Sequence, residues 1–275
     1  EYINKSRPLP EWERDTPREI ADMMRETPEQ GWVYWFFSFD HNAGLSEAKK
    51  AQIIRNVPKG TKLYKNKILG LRGRATGLVF NLEPRHIITA AKAAEYDFVQ
   101  LSIGVDTSYS QSSPDTFAFV LSGITTCRKK ITLAAEAHNN RDRVNPLTPS
   151  DIPPLVIAFA ERNREIWGFA RNIYSADQAT ILECKKYAHQ NGCIYTFQPA
   201  WKKTKNIDRI NLQCGWMAHG DFLFVEGACK PELEEMALYS WREDKDNEPE
   251  DGNDHCINAD QYSWLPYKDR IGGKA

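Results

Sequence analysis

The sequence lacks the features of a membrane protein, a disulfide-rich secreted domain or a nucleotide hydrolase. No apolar run approaches the ~20 residues of a membrane-spanning helix, and the first residues lack the basic-then-apolar pattern of a secretion signal. Six cysteines occur without a Cys-x-x-Cys pair, which favours reduced thiols over a disulfide framework or a zinc site. No Gly-x-x-x-x-Gly-Lys-Ser/Thr loop occurs, so we expect no ATP site in this chain. These absences predict an intracellular protein.

An excess of either charge is also missing. The 36 Lys and Arg residues balance 37 Asp and Glu residues, which leaves a net charge of -1 and no global field that would attract nucleic acid or an anionic membrane. The charges are unevenly placed, because residues 49–74 hold nine basic and no acidic residues, whereas residues 232–254 hold ten acidic ones. Solvated faces explain both runs, although the basic run is rich in turn residues and could carry phosphate contacts.

The length and apolar content predict one large domain, or one domain with part of another. The chain has 275 residues, of which 41% are hydrophobic, so it can bury a sizeable core. Prolines punctuate the first part, and an aromatic strand-like run follows at residues 32–39. This part, up to residue 95, has the pattern of an arm or part-domain. From residue 96 onward the pattern changes to alternating strands and helices.

The second part predicts a mixed sheet covered by helices, which is an α/β fold. Residues 98–106, 115–124 and 130–137 are apolar runs joined by turn residues, which is typical of a strand meander. Further strands are predicted at residues 170–177, 193–197 and 222–225. Helices are predicted at residues 155–169, from 181 to 188, and at 207–218, 231–241 and 253–265. Strands that alternate with helices after an opening meander indicate such a sheet.

Acidic residues stand where this pattern places a site. Asp106 and Asp177 each follow an apolar strand, at the end where an α/β sheet exposes its site, and a polar cluster at residues 253–260 opens the last helix. An Asp in this position is also a common helix cap or turn former. Three carboxylates from two strand ends and a helix would suit two Mg²⁺ or Mn²⁺ ions that hydrolyse a phosphodiester. The order of these elements is typical of a ribonuclease-H-like nuclease.

Three segments carry a family resemblance. FVQLSIGVDTSYSQSSPDTFAFVLSG (98–123), YSADQA (174–179) and NDHCINADQY (253–262) resemble the nuclease half of the large terminase subunit of tailed double-stranded DNA bacteriophages. WVYWFFSFDHNAGL (32–45) and KILGLRGRATGLVF (67–80) resemble the passage from that family's ATPase domain to its nuclease. The resemblance covers nearly the whole chain in order. It implies that residues 1–95 are the C-terminal part of an ATPase domain with its linker, and that residues 96–275 are a ribonuclease-H-like nuclease.

The resemblance also assigns site residues. Asp106 would be the first metal ligand and would bridge two ions, and Asp177 would be the second. The family's last motif, Asp-His-two residues-Asp-Ala, places its ligand at Asn258 and its histidine at His255. An amide offers a neutral oxygen, so we expect weaker metal binding there. Asn258 is either an engineered Asp-to-Asn change that silences cleavage, which we favour, or a sign that the natural protein ligates differently.

The residues around Asn258 offer substitutes. Asp254 lies four residues earlier on the same helical face and could replace the missing ligand, whereas Asp260 points to roughly the opposite side. His255 shares the ligand face and could hold a metal-bound water or protonate a leaving group. A role for His255 at the N-terminal cap of the helix is equally open.

The leading hypothesis is a Mg²⁺- or Mn²⁺-dependent endonuclease that cuts concatemeric phage DNA. By resemblance its partners would be double-stranded DNA, the portal protein and the small terminase subunit. It would form a ring in the intact motor and a monomer in isolation, in the host bacterial cytoplasm and transiently at the procapsid portal, and would be absent from the mature virion. We expect DNA contacts from local basic residues, namely Lys202, Lys203, Lys205, Arg128, Lys129 and Lys130, and from the basic run at residues 49–74.

Two other functions remain open at this point. A transposase or integrase of the same sheet class is one, but such enzymes usually place a Glu where this chain has Leu212. A non-catalytic docking module of the packaging motor is the other, and the Asn258 departure and the aromatic run at residues 32–39 favour it. A catalytic site requires Asp106, Asp177 and the start of the last helix to meet, whereas a docking module does not.

Overall fold

The computed structural model describes residues 7–8, 33–34, 39–55, 64, 68–70, 77–107, 116–139, 147–200, 204–242, 248–250 and 254–273. The chain divides into two compact units, residues 1–74 and residues 75–275. None of the helices in the described ranges combines the length and apolar character that crossing a membrane requires.

In the first unit, two short strands pair in parallel. Strand β1 (Arg7–Pro8) lies beside β2 (Val33–Tyr34), and helix α1 spans Glu47–Arg55 after a single 3-10 turn at Phe39–His41. Lys50 of α1 is buried, and its ammonium donates to Glu47 and to the main-chain oxygen of Asp40, each at 3.0 Å. Most of the predicted aromatic strand at residues 32–39, and much of the basic run at residues 49–74, lies outside the described residues.

The second unit is built on a sheet of seven strands. They are β3 (Ile87–Ile88), β4 (Phe98–Asp106), β5 (Thr116–Thr125), β6 (Lys130–Asn139), β7 (Asn172–Ser175), β8 (Thr196–Pro199) and β9 (Phe222–Val225). Their order across the sheet is β3-β9-β6-β5-β4-β7-β8. β5 runs antiparallel to β4 and to β6, and the other neighbours are parallel. An antiparallel meander extended by parallel strands on both sides is the ribonuclease-H-like sheet that the element order predicts.

Helices cover both faces of this sheet. They are α2 (Ala90–Ala93), α3 (Ile152–Trp167), α4 (Gln178–Asn191), α5 (Asn206–His219), α6 (Lys230–Leu238) and α7 (His255–Trp264). Side chains on both faces of the middle strand β5 are buried, from Phe117 to Leu121, because a strand covered on both sides exposes neither set of side chains. The α/β architecture predicted from the sequence is confirmed.

The division between the units lies earlier than the predicted domain boundary at residues 95 and 96. Residues 77–95 belong to the second unit because β3, formed by Ile87 and Ile88, pairs with β9 at one edge of the large sheet. His86 just before β3 is buried, and its Nε2 lies 3.0 Å from the main-chain oxygen of Met217 in α5. This segment therefore completes the sheet rather than forming part of an arm.

Helix α7 lies directly on the sheet at its centre. Gly104 of β4 permits this approach, because a Cβ atom there would overlap the main-chain oxygen of Ala259. The interface is lined by small buried side chains, Ala118 and Cys256 among them. The hydroxyl of Ser102 donates to the main-chain oxygen of Ser263 at 2.8 Å and fixes the far end of the helix. The first turn of α7 is thereby held next to the end of β4.

Candidate active site

The end of β4 and the start of α7 meet in a carboxylate–histidine pair. Asp106 is the last residue of β4, and His255 is the first residue of α7. His255 Nδ1 lies 3.0 Å from Asp106 Oδ2, and the two side chains are 19% and 15% exposed, respectively. Two side chains that lie far apart in the sequence are thus brought together in a partly open position.

The protonation of this pair is set by burial and by the contact itself. Burial raises the pKa of the Asp106 carboxyl, and the hydrogen bond from His255 lowers it by a smaller amount. The hydrogen bond to Asp106 raises the pKa of His255 above its usual value, against the opposing effect of burial. Both shifts favour a proton held between the two groups. His255 therefore holds a proton more tightly than a free imidazole does.

Asp177 lies at the same edge of the sheet as Asp106. Strands β4 and β7 are parallel, with Val105 opposite Ser175, so both chains reach this edge together. β7 ends at Ser175, two residues before Asp177, although the sequence predicts the strand to continue. Asp177 instead caps α4, and its carboxylate accepts a hydrogen bond from the main-chain nitrogen of Thr180 at 2.6 Å. The structure thus gives Asp177 a structural role besides its place at the edge.

One face of α7 is half-exposed. Asp254, His255, Asn258 and Tyr262 are all neither buried nor fully exposed, and their spacing places them on one side of the helix. The hydroxyl of Tyr239 in the preceding segment donates to Asp254 at 3.3 Å. We call Asp254, His255, Asn258 and Tyr262 the open face of α7. It contains the predicted ligand position Asn258, and its histidine contacts Asp106.

No pattern in the sequence identifies Glu235 as a residue that contacts the site. This residue of α6 accepts hydrogen bonds from the main-chain nitrogens of Cys256 and Ile257, at 2.7 and 3.1 Å, and so satisfies free N–H groups in the first turn of α7. Burial raises the pKa of Glu235 to about 7. The usual signal of a cap is a polar residue directly before the helix, but Asp254 makes no side-chain cap here, and a carboxylate from another helix takes its place.

The opposite face of α7 carries a second carboxylate, Asp260. It points away from the open face, as the helical spacing predicts, and it is fully buried and pairs with the ammonium of Lys130. Ser122 donates to its Oδ1 at 2.7 Å and the indole of Trp264 donates to its Oδ2 at 3.1 Å. The predicted DNA-binding role of Lys130 is therefore wrong for this structure, because its ammonium is 0% exposed and is already bound to Asp260.

The other predicted DNA-binding residues differ from Lys130 in their contacts and exposure. Arg128 and Lys129 lie in the turn after β5, where Arg128 Nη2 donates to the main-chain oxygen of Asp269 at 2.8 Å and Lys129 Nζ donates to that of Gly220 at 2.6 Å. Both cations are therefore partly occupied by contacts within the chain. Lys205 is exposed at the start of α5 and makes no side-chain cap there. Lys202 and Lys203 lie outside the described residues.

The donor chemistry at this edge matches a hard divalent cation only in part. Asp106 and Asp177 offer carboxylate oxygens and Asn258 an amide oxygen, which are ligand types that Mg²⁺ and Mn²⁺ take. Within the described ranges, no group of three or more His, Cys, Asp and Glu side chains is close enough together to hold a metal ion. The described residues therefore fit a divalent cation only incompletely.

The fold has counterparts among solved structures. No protein-family model matches the chain, and no curated protein sequence matches it. The large terminase from a thermophilic bacteriophage matches with a TM-score of 0.65 and 18% identity, over 94% of this chain and 59% of that chain. The same terminase in complex with ADP gives 0.65 and 18%, over 95% and 60%. The large terminase nuclease from the thermophilic phage G20c with bound cobalt gives 0.43 and 15%, over 70% and 98%.

The chain spans about three fifths of the length of the full terminase chains that it matches. At this level of identity the similarity establishes the fold alone. The match extends over nearly all of this chain, in agreement with the order of its motifs. The chain therefore shares its fold with the matched part of a bacteriophage large terminase.

Proposed function

We propose that this chain carries the nuclease of a viral DNA-packaging terminase, which cuts concatemeric double-stranded DNA by metal-dependent phosphodiester hydrolysis. The observation that carries the proposal is the contact of Asp106 with His255, at the edge of the sheet where Asp177 also lies. Catalytic residues of open α/β sheets are found at such strand ends. The terminase fold of the chain supports the same conclusion.

In this proposal Asp106 and Asp177 hold a divalent cation, Mg²⁺ or Mn²⁺, together with Asn258 or Asp254. When bound, two such ions would supply a water of lowered pKa and stabilise the charge on the leaving oxygen. Asp106 orients the imidazole of His255 through the hydrogen bond to Nδ1. The other ring nitrogen of His255 is then directed away from Asp106, where it can protonate a leaving oxygen. Asn258 supplies an oxygen without charge, which weakens binding of the cation.

The biological setting is part of the same proposal, and the similarity of the fold to large terminases supports it. The DNA-packaging role implies double-stranded DNA as substrate, with the portal protein and the small terminase subunit as partners. It also places the protein in the host bacterial cytoplasm and transiently at the procapsid portal. In isolation we expect a monomer of 31.5 kDa by light scattering, and a ring only in the intact motor. We also propose that residues 1–74 derive from the end of an ATPase domain.

A second candidate function is a non-catalytic docking module of the same motor. Two points favour it: by the family resemblance Asn258 stands where a charged ligand is expected, and Asp177 already has a structural role as the cap of α4. In this alternative the carboxylates at the sheet edge stabilise the fold and bind no metal.

Plasmid cleavage in Mn²⁺ separates the two candidates. The chain and its Asn258→Asp variant are compared, with Asp106→Ala in each background as the blank and DNA binding measured in parallel. We expect the restored carboxylate to raise cleavage by at least tenfold, and Asp106→Ala to abolish it. Cleavage by neither protein, although both bind DNA, would overturn the nuclease proposal in favour of the docking module.

A further inference from the structure

A cation that the sequence does not single out lies beside the open face of α7. Arg209 is in the first turn of α5 and is partly exposed. Its guanidinium carbon lies 5.7 Å from the centroid of the Tyr262 ring. Its positive charge acts on the carboxyl of Asp106 and lowers the pKa of that group, against the larger effect of burial. Arg209 therefore lies at the edge of the candidate site.

The guanidinium is not fully used by the fold. Its Nε–H is shielded from solvent and has no hydrogen-bond acceptor among the described residues. An unsatisfied buried donor costs free energy, so such a group in a native protein calls for an explanation, and a missing ligand is one. The planar fork of an arginine matches the two oxygens of a phosphate. Arg209 as a whole is partly exposed, so a phosphate beside Tyr262 can approach its side chain.

The position on α5 supports a DNA ligand. Arg209 lies one turn after Lys205, and the main-chain nitrogen of Arg209 donates to the oxygen of Lys205 at 3.1 Å. Residues four apart share a helical face, so both cations project from the same side of α5. Lys205 is exposed, whereas Arg209 lies deeper, next to Tyr262. The two cations thus form a line along α5 that leads from the solvent to the candidate site.

We propose that Arg209 binds a backbone phosphate of duplex DNA next to the phosphodiester positioned at Asp106 and His255. This inference rests on the proposed nuclease function and names a substrate-binding residue for it. Lys205 contacts the following phosphate on the solvent side. The competing explanation is that Arg209 only balances the negative charge of the nearby carboxylates, and in that case its removal would leave phosphate contacts unchanged.

The salt dependence of binding distinguishes these explanations, because each neutralised phosphate contributes ~0.9 to the slope of log K against log salt concentration. The probe is a short duplex in EDTA, titrated with the full chain at several KCl concentrations. Arg209→Met keeps the apolar stem and removes the charge, and Arg209→Lys keeps the charge. Arg171→Met is the matched control, because Arg171 is exposed at the opposite end of β7 from the candidate site.

We expect Arg209→Met to weaken binding and to lower the slope by about one phosphate, while Arg209→Lys and Arg171→Met keep the slope. An unchanged slope for Arg209→Met overturns the inference, and so does an equal loss for Arg171→Met. If Arg209→Met does not fold, Arg209→Gln is measured in its place. The nuclease proposal fails separately: the chain then binds DNA with the full slope, but neither it nor Asn258→Asp cuts. A chain that binds no duplex at all overturns both proposals.

Discussion

Two carboxylates lie on opposite sides of helix α7, Asp106 at the end of β4 and Asp260 in the helix itself, and their surroundings differ. Asp260 is 0% exposed and is satisfied on both oxygens, by Lys130, Ser122 and Trp264. Asp106 is 15% exposed, and the hydrogen-bond partner that the structure describes for it is His255. A fully satisfied buried charge has no capacity left for a ligand, whereas a carboxylate with one partner at an opening has. Burial and satisfaction therefore separate a structural carboxylate from a functional one.

The network around Asp260 also explains how the open face is held. Lys130 lies on β6, Ser122 on β5 and Asp260 on α7, so the ion pair and its hydrogen bonds join the helix to two strands. The ammonium of Lys130 also lies 3.9 Å from the centroid of the Phe222 ring in β9. Rotation of α7 would break this set of contacts. The buried face thereby fixes the direction in which the open face projects toward Asp106.

The largest loss of stability is expected when the buried ion pair of Lys130 and Asp260 is broken. Asp260→Ala removes the carboxylate that is hydrogen-bonded to the buried ammonium of Lys130, and we expect a loss of about 3–5 kcal/mol in the free energy of unfolding. Urea denaturation measures it. The double variant Lys130→Met/Asp260→Leu removes both charges and is expected to recover most of that loss, because a buried ion pair replaced by apolar residues is often neutral.

Asp106→Asn is the matched comparison for that change. Burial raises the pKa of Asp106, so loss of its charge removes a desolvation cost, and we expect no large loss of stability. A destabilisation by Asp106→Asn equal to that of Asp260→Ala would contradict the distinction between the two carboxylates.

A smaller effect is expected at Glu235, which caps α7. Burial raises its folded-state pKa to about 7, above the value of 4.5 for an unperturbed glutamate. The folded protein therefore binds the proton more tightly, so stability is highest below the unfolded pKa and falls as the pH rises through about 7. The shift corresponds to up to about 3 kcal/mol across this window.

Glu235→Gln tests this dependence, because the amide oxygen can still accept from Cys256 and Ile257 but cannot ionise. We expect the variant to lose the fall in stability between about pH 4.5 and 7 in urea denaturation at a series of pH values. Glu234→Gln is the control, since Glu234 is exposed and its removal should leave the pH dependence in place. If the stability of Glu235→Gln falls with pH as steeply as that of the unchanged protein, the carboxyl of Glu235 titrates in the usual range.

The sequence predicts those parts of the fold that depend on local pattern. The bounds of β4 and β9 agree with the predicted runs, because β4 alternates apolar residues with polar or small ones and β9 is a continuous apolar stretch. The family resemblance assigns both Asp106 and His255 to one site, and in the structure the two side chains are in contact. The strand predicted to reach Asp177 ends earlier, because the carboxylate of Asp177 serves the helix that follows.

Contacts between distant residues could not be predicted in the same way. Lys130 has the surface pattern of a basic turn, and only its partner 130 residues away makes it a core residue. Glu235 reaches the first turn of α7 from another helix, and Arg209 reaches Tyr262 from α5. Each of these contacts depends on how α5, α6 and α7 pack, which neither periodicity nor spacing specifies.

The smallest change in stability is expected at Asp177. A pair of variants separates its role as a helix cap from its proposed role as a metal ligand. Asp177→Ala removes the acceptor for the Thr180 nitrogen, and we expect it to cost about 1 kcal/mol of stability. Asp177→Asn keeps a good N-cap and removes the charge, so its stability should stay within a few tenths of a kcal/mol of the unchanged protein. In the Asn258→Asp background we expect Asp177→Asn to lose Mn²⁺-dependent plasmid cleavage although it remains folded. Full cleavage by that variant would show that Asp177 only caps α4 and is a structural carboxylate, as Asp260 is.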